Sequence, residues 1–242
     1  MGKTTVRPED VLKLWDQNVV GGDFSDRRLL KFHTMRSRFE RCKFERLRVE
    51  DATFGSGPTQ SVYVECSFDG SRLRAPSPGN ARFERCTFRD VRLSGFFAFQ
   101  LEFVDCLFTG RAEKCVFNGA PLERRRRDVG REVNEFSGND FSGMELRDVG
   151  FRTGVDLTKQ RLPTGPPYVY LPHAEVEIAR VRAVVSRWAD DGARSDALAL
   201  LRWLEGEAKG DQEQLFLQRP RRSDPTMTKV LDLLDADDAV QA

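Results

Sequence analysis

The sequence is poor in the residues that usually carry catalysis and metal binding. Its 242 residues include 2 His and 5 Cys, and no two cysteines form a Cys-x-x-Cys pair, which excludes a thiolate zinc site of the usual spacing. An odd cysteine count also argues against a secreted disulfide framework. Net charge is almost nil: 39 Lys and Arg face 38 Asp and Glu, leaving +1, so no overall excess draws the chain to nucleic acid or a membrane surface. No apolar run approaches the roughly 20 residues of a spanning helix, and the stretch from Met1 to Asp10 lacks an apolar signal core. These absences point to a cytoplasmic protein. Tyr and Trp are scarce, 3 of each, whereas Phe numbers 18. The placement of those phenylalanines sets the fold.

From Phe24 an apolar beat recurs every five residues through Leu29, Thr34, Phe39, Phe44, Val49 and Phe54. It slips by four residues and resumes at Tyr63, Phe68 and Leu73, skips to Phe83, and continues through Phe88, Leu93, Ala98, Phe103 and Phe108. A second series of mostly small residues lies two positions earlier, including Ser37, Cys42, Ser61, Cys66, Ser71, Cys86 and Cys106. Five fits neither the helical period of 3.6 nor the strand period of two. It fits a turning chain in which each five-residue unit forms one side of a square coil, with two residues facing inward and three facing water.

Four such sides close at twenty residues, so residues twenty apart stack at the strand spacing of about 4.8 Å. Four inward columns follow, with the four extra residues looped out. Cys42, Cys66, Cys86 and Cys106 form one; Phe44, Phe68, Phe88 and Phe108 form the second; Leu29, Val49, Leu73 and Leu93 form another; Phe39, Tyr63, Phe83 and Phe103 form the last. Outward, Arg41, Glu65, Arg85 and Asp105 fall in a column of alternating sign, as neighbouring strands prefer.

These units resemble the pentapeptide-repeat family, whose loose consensus is Ala-Asp/Asn-Leu-x-x with Phe frequent at the centre. The closest matches are Asn134-Glu-Phe136, Asn139-Asp-Phe141, Met144-Glu-Leu146 and Val149-Gly-Phe151, followed by Leu157 and Leu162. The chain departs from the pattern in preferring Cys or Ser to Ala before the centre. The resemblance implies a mainly β fold, a right-handed quadrilateral parallel β-helix.

The expected organisation is an N-terminal capping helix within residues 1–21, a β-helix over 22–163, a Pro-rich linker over 164–173 and a helical appendage over 174–242. The capping helix is read from Pro8 to Asp16, with Val11, Leu14 and Trp15 on one face. Loops are expected near 55–60, 75–80 and 109–135, the last containing a polar stretch from Glu123 to Val133. In the appendage, Ile178, Val181, Val185 and Trp188 and then Leu198, Leu201 and Leu204 form apolar faces of two helices. The second helix is read as starting at an N-cap Ser195, and the pair suits internal packing or a homodimer. A third helix begins at Asp224-Pro225. The coil is net basic and the appendage net acidic.

Bland readings cover most candidate sites. Inward thiols act as small hydrophobes, and a linear stack offers no tetrahedron to a metal. Inward rings cannot serve as a base-stacking platform. Arg124, Arg125, Arg126 and Arg127 form a candidate partner-binding cluster, diluted by Glu123, Asp128 and Glu132; Arg219, Arg221 and Arg222 form a lesser one. No nucleophile constellation surrounds His33 or His173, so no enzyme, metal or cofactor is expected.

The expected function is a non-enzymatic, rigid protein–protein interaction scaffold, with the loops and C-terminal helices as recognition surfaces. The resemblance also implies an alternative. One subgroup of the family imitates DNA and binds bacterial DNA gyrase or topoisomerase IV, protecting the target from quinolones or other poisons; the mildly basic coil conflicts with that imitation. Nucleic-acid binding through Arg124 to Arg127 is a lesser alternative.

Overall fold

The computed structural model describes residues 10–209, 211–220 and 224–236. Two compact units divide the chain, one formed by Met1–Val149 with Val155–Pro163, the other by Gly150–Gly154 with Thr164–Ala242.

The first unit is a parallel β-solenoid of about 8 turns. Its strands are β1 (Val11–Trp15), β2 (Asn18–Val20), β3 (Arg28–Met35), β4 (Arg38–Glu40), β5 (Arg48–Ser56), β6 (Ser61–Val64), β7 (Arg72–Arg74), β8 (Ala81–Glu84), β9 (Thr87–Ser94), β10 (Phe97–Ala98), β11 (Leu101–Val104) and β12 (Leu107–Asn118). Helix α1 (Glu123–Val129) follows, then β13 (Phe136–Ser137), β14 (Asn139–Arg152), a 3₁₀ turn (Leu157–Lys159) and β15 (Gln160–Arg161). One sheet runs β1-β3-β5-β7-β9-β12-β14-β15, and a second runs β13-β11-β8-β6-β4-β2. The pairings are parallel, and Leu29 pairs with Val49, Val49 with Leu73, and Leu73 with Leu93.

The chain turns by a repeated local device. The outward residue just before each inward cysteine adopts positive φ: Arg41 at 51°, Glu65 at 54°, Arg85 at 50° and Asp105 at 53°. An L-residue in that region costs roughly 1–2 kcal/mol. Ladder hydrogen bonds offset the cost, since the amides of these four residues reach Val64, Glu84, Val104 and Ser137 carbonyls, each at 2.9 Å. The corner also aims the next side chain inward, where small residues fit.

Inside, the expected columns stack ring on ring. Phe44 lies over Phe68 at 5.0 Å, Phe68 over Phe88 at 4.9 Å, and Phe88 over Phe108 at 4.7 Å. Phe39, Tyr63, Phe83 and Phe103 repeat the arrangement at 5.0, 4.7 and 4.9 Å. Edge contacts such as Phe83 to Phe88, at 68°, knit the columns together. All of these rings are buried, each contributing roughly 1.5–3 kcal/mol. The Tyr63 hydroxyl is satisfied by Thr34 at 2.8 Å and the Phe54 carbonyl at 3.1 Å.

Several expectations are corrected. The capping helix is absent over Val11–Trp15; that segment is a strand paired with β3 from Val11↔Lys31 to Trp15↔Met35. Leu14 and Val19 already stand on the five-residue beat before Phe24, so pairing in the first turn outweighs the helical spacing of Val11, Leu14 and Trp15. Residues 1–9 of that expected cap lie outside the described residues. The 75–80 segment is a packed part of its turn: Pro78 is buried where the beat skipped, and its carbonyl accepts from the Phe54 amide at 2.7 Å. Gly79 and Gly55 meet backbone to backbone, where a Cβ on Gly79 (φ +81°) would fall 2.1 Å from the Gly55 carbonyl oxygen. The expected loop at 109–135 begins only after Asn118, because β12 continues through Cys115 and Phe117.

In the second unit, part of the expected linker is β16 (Tyr168–Leu171), paired antiparallel with β17 (Leu215–Gln218). Val169 and Leu171 alternate into the core, which the prolines around them disguise. Helices α2 (Ala174–Val185), α3 (Asp191–Lys209) and α4 (Pro225–Asp235) complete the unit. Helix α3 starts before Ser195, with the Asp190 carboxylate accepting from the Ala193 amide at 3.0 Å. Asp224 caps α4 by accepting from the Met227 amide at 2.9 Å, as the Asp-Pro start predicts.

Phe68→Ala opens a void between two stacked rings. It should lower unfolding free energy by about 3–5 kcal/mol, measured by urea denaturation; a loss below about 1 kcal/mol would contradict the stacked core.

Candidate functional site

The cysteine column is the densest chemical feature of the interior, and its sulfurs are employed structurally. Cys42, Cys66, Cys86, Cys106 and Cys115 are free and buried. Each thiol of the column donates to a carbonyl of the preceding turn, Cys42 to Val19 at 3.4 Å, Cys66 to Phe39 at 3.5 Å, Cys86 to Tyr63 at 3.4 Å and Cys106 to Phe83 at 3.5 Å. Ser37 does the same with the Leu14 carbonyl at 3.0 Å. At the next turn Asn139 takes the place of cysteine, accepting from the Cys106 amide at 3.0 Å. Burial pushes the Cys42, Cys86 and Cys115 thiols up, Cys115 to about 12; for Cys66 a hydrogen bond with Cys86 and then burial act in the same direction. Among the described residues no group of three or more His, Cys, Asp or Glu side chains converges on a metal position.

The excursion after β12 carries the candidate arginines. Helix α1 ends at Gly130, φ +68°, whose amide bonds to the Arg126 carbonyl. Arg124 and Arg127 are exposed, whereas Arg125 pairs with Asp128 at 3.0 Å and Arg126 with Glu132 at 3.1 Å. The four therefore do not converge as one free cationic cluster. The excursion is pinned by Arg131, which sequence reading passed over. Its guanidinium donates to Asn134 at 3.0 Å, Asn80 at 2.8 Å and the Gln100 carbonyl at 2.7 Å. Beside it lies buried Glu102 at 3.5 Å, itself held by Gln60 at 2.7 Å, Arg82 at 3.3 Å and the Glu135 amide at 3.0 Å. Burial lowers the Arg131 pKa from its usual value, and Glu102 opposes that shift.

On the outer faces, stacked charges pair between turns. Asp16 meets Arg36 at 2.7 Å, Asp26 meets Arg46 at 2.7 Å, Glu65 meets Arg85 at 3.2 Å and Asp69 meets Arg89 at 3.2 Å. The expected Arg41–Asp105 ladder is thus closed at Glu65–Arg85, while Arg41 turns to its neighbour Glu40. One column is built of arginine alone. Arg28, Arg48, Arg72, Arg92 and Arg111 are successive partners on five turns, and the series ends where Arg111 meets Glu145 at 2.8 Å. The register that aligns the cysteines aligns these arginines too.

His33 packs edge-on against Trp15 at 5.6 Å and shares a hydrogen bond with Ser56. Burial, reinforced by Lys13 and Lys31, lowers its pKa.

In the second unit, Ile178, Val181, Val185, Leu201 and Leu204 are buried in the unit's own core, with Trp188 and Leu198 packed against it. The face offered for a homodimer is consumed internally. Arg219 pairs with Asp232 at 2.6 Å and Asp235 at 2.8 Å; Arg221 and Arg222 lie outside the described residues. His173 stands 3.7 Å from Glu213 at an open cleft beside the start of α2.

No protein-family model matches the chain, and no curated protein matches it. No helix among the described residues is long and apolar enough to cross a membrane.

In the native protein at pH 8 a thiol reagent such as DTNB should label none of the five cysteines, and all five should react after denaturation; rapid native labelling would contradict their burial. His33 has a folded pKa below its unfolded value of about 6.5, so the unfolded state binds the extra proton first. Stability should fall as pH drops from about 6.5 through the folded pKa. His33→Gln should flatten that part of the pH–stability profile, read from denaturation midpoints.

Proposed function

We propose that the chain is a non-enzymatic pentapeptide-repeat protein, with a right-handed quadrilateral coil serving as a rigid scaffold for protein–protein interaction. Excursion 119–135 is its first recognition surface. The observation that carries this reading is the Arg131 pin. A polar excursion that only bridged two strands would need no half-buried guanidinium holding it to Asn80, Asn134 and Gln100. Fixing a loop before binding reduces the ordering cost at the interface, and loops on stiff frames are where recognition concentrates. Arg124 and Arg127 are the two exposed arginines of this surface.

The gyrase or topoisomerase IV reading, with its bacterial setting and antibiotic resistance, stands second. The solenoid fold and its excursion favour it, whereas the column of five arginines has the wrong sign for imitation of DNA. It predicts that the protein inhibits gyrase supercoiling or protects it from a fluoroquinolone, and an unchanged supercoiling assay would remove it. Duplex binding through Arg124 to Arg127 has less support, because Arg125 and Arg126 are engaged with carboxylates.

A photoreactive residue at position 124 or 127 of the full chain should trap a protein partner in cells, while the same group at Arg161 should not. Arg131→Gln should raise amide exchange over residues 119–135 and reduce trapping several-fold. Equal trapping at all three positions, or none, would defeat the reading.

A further inference from the structure

We propose that Arg28, Arg48, Arg72, Arg92 and Arg111 form a docking strip for an acidic α-helix of a partner protein, lying along the stacking direction of the solenoid. The proposal rests on the scaffold reading and gives it a second face and a partner chemistry.

The five residues are Cα partners on consecutive turns. They therefore recur about every 4.8 Å and span about 19 Å. Like charges directly opposite one another on neighbouring strands destabilise a sheet. Elsewhere on the outer faces acid is set over base, as in Asp16–Arg36, Asp26–Arg46 and Glu65–Arg85. Packing does not require these arginines, because their stems face outward and the columns beneath them are complete. Arg28, Arg48, Arg72 and Arg92 are exposed, and among the described residues none of these four side chains makes an ion pair or hydrogen bond. The separation is inside the Debye length of about 8 Å at physiological salt, so their fields add. Folding is opposed by this column, and a bound anion array would relieve the repulsion.

The pitch selects the partner. One face of an α-helix presents a residue at i, i+3 or i+4, and i+7, once per rise of about 5.4 Å. Four such steps cover about 22 Å, a mismatch of a few ångströms that long arginine side chains absorb. Same-side residues of an extended peptide recur about every 6.7 Å and cover about 27 Å, beyond the strip. Duplex phosphates wind around their axis, so a straight row meets them only where a strand crosses it. No aromatic side chain stands in the adjacent outward column of Leu30, Glu50, Arg74, Ser94 and Glu113, so single-stranded bases find no stacking platform. Glu50 and Glu113 are exposed beside the strip and repel a uniformly acidic chain. They suit a helix whose acidic stripe is flanked by basic residues. Guanidinium groups engage carboxylates in bidentate fashion, which suits this column to an array of Glu or Asp side chains.

The test uses the full chain and a labelled helical peptide with Glu along one stripe and Lys on its flanks, followed by fluorescence anisotropy at physiological salt. Arg48→Gln with Arg72→Gln should weaken binding at least tenfold, and so should scrambling the peptide or raising salt to 1 M. Arg38→Gln with Lys43→Gln, on other faces, should leave it unchanged. Thermal unfolding checks the fold of both variants, and the strip variant should melt no lower than wild type. Absence of binding, equal binding of the scrambled peptide, indifference to the strip variant, or tighter binding of a 20-base-pair duplex would each overturn the proposal. If the strip fails while a partner is still trapped through position 124, only the strip is lost; if no partner is trapped, the scaffold reading itself falls.

Discussion

Vertical register is the constraint on which the solenoid depends. Each turn must set its inward side chains over those of the turn before, at the spacing of hydrogen-bonded strands. Stacked phenyl rings separated by 4.7–5.0 Å satisfy it in the Phe44 and Phe39 columns. Cysteine and serine satisfy it at the corners, where their side chains donate to the preceding turn's carbonyl. The same residue type therefore fills a space and closes a hydrogen bond. Thiols in this setting are building elements of the coil.

The register reaches the surface as well. Once the interior fixes which residues are neighbours, outward positions become columns whether or not the sequence has arranged them to agree. Most agree, with acid over base. The arginine column does not, and its contrast with Asp26–Arg46 or Glu65–Arg85 on the same molecule is what gives it meaning. The Arg131 network is a second departure from economy, since it places a cation and a carboxylate under a surface excursion. Both features place charge where pairing or packing alone does not require it.

The stacked columns were legible in the sequence because a five-residue beat has few physical explanations and the twenty-residue repeat tests itself. The first turn was not, since Val11, Leu14 and Trp15 satisfy helical spacing while Leu14 and Val19 continue the beat, and only the pairing with β3 decides between them. Pro78 hid a buried position because proline reads as a turn. In the second unit, Val169 and Leu171 sit among prolines, and their partner strand lies more than forty residues away. The candidate site was the least visible part. Arg131 and Asn80 are 51 residues apart, with no local pattern joining them. The arginine column was encoded in the same register as the cysteines, but at a position that a search for apolar residues ignores.

The four residues added near Gly55 show how such a coil tolerates change in length. They leave the stack through a corner, so Val49 still meets Leu73 and Phe39 still meets Tyr63. Lengthening by a full lap would likewise keep every face in phase and merely carry the excursion farther along. Adding a single five-residue side would swing everything downstream onto a different wall, separating Arg72 from Arg48 while leaving the apolar rhythm intact. Variation among proteins built this way is thus confined to bulges at corners and to whole laps, and the alignment of surface features is inherited from that arithmetic.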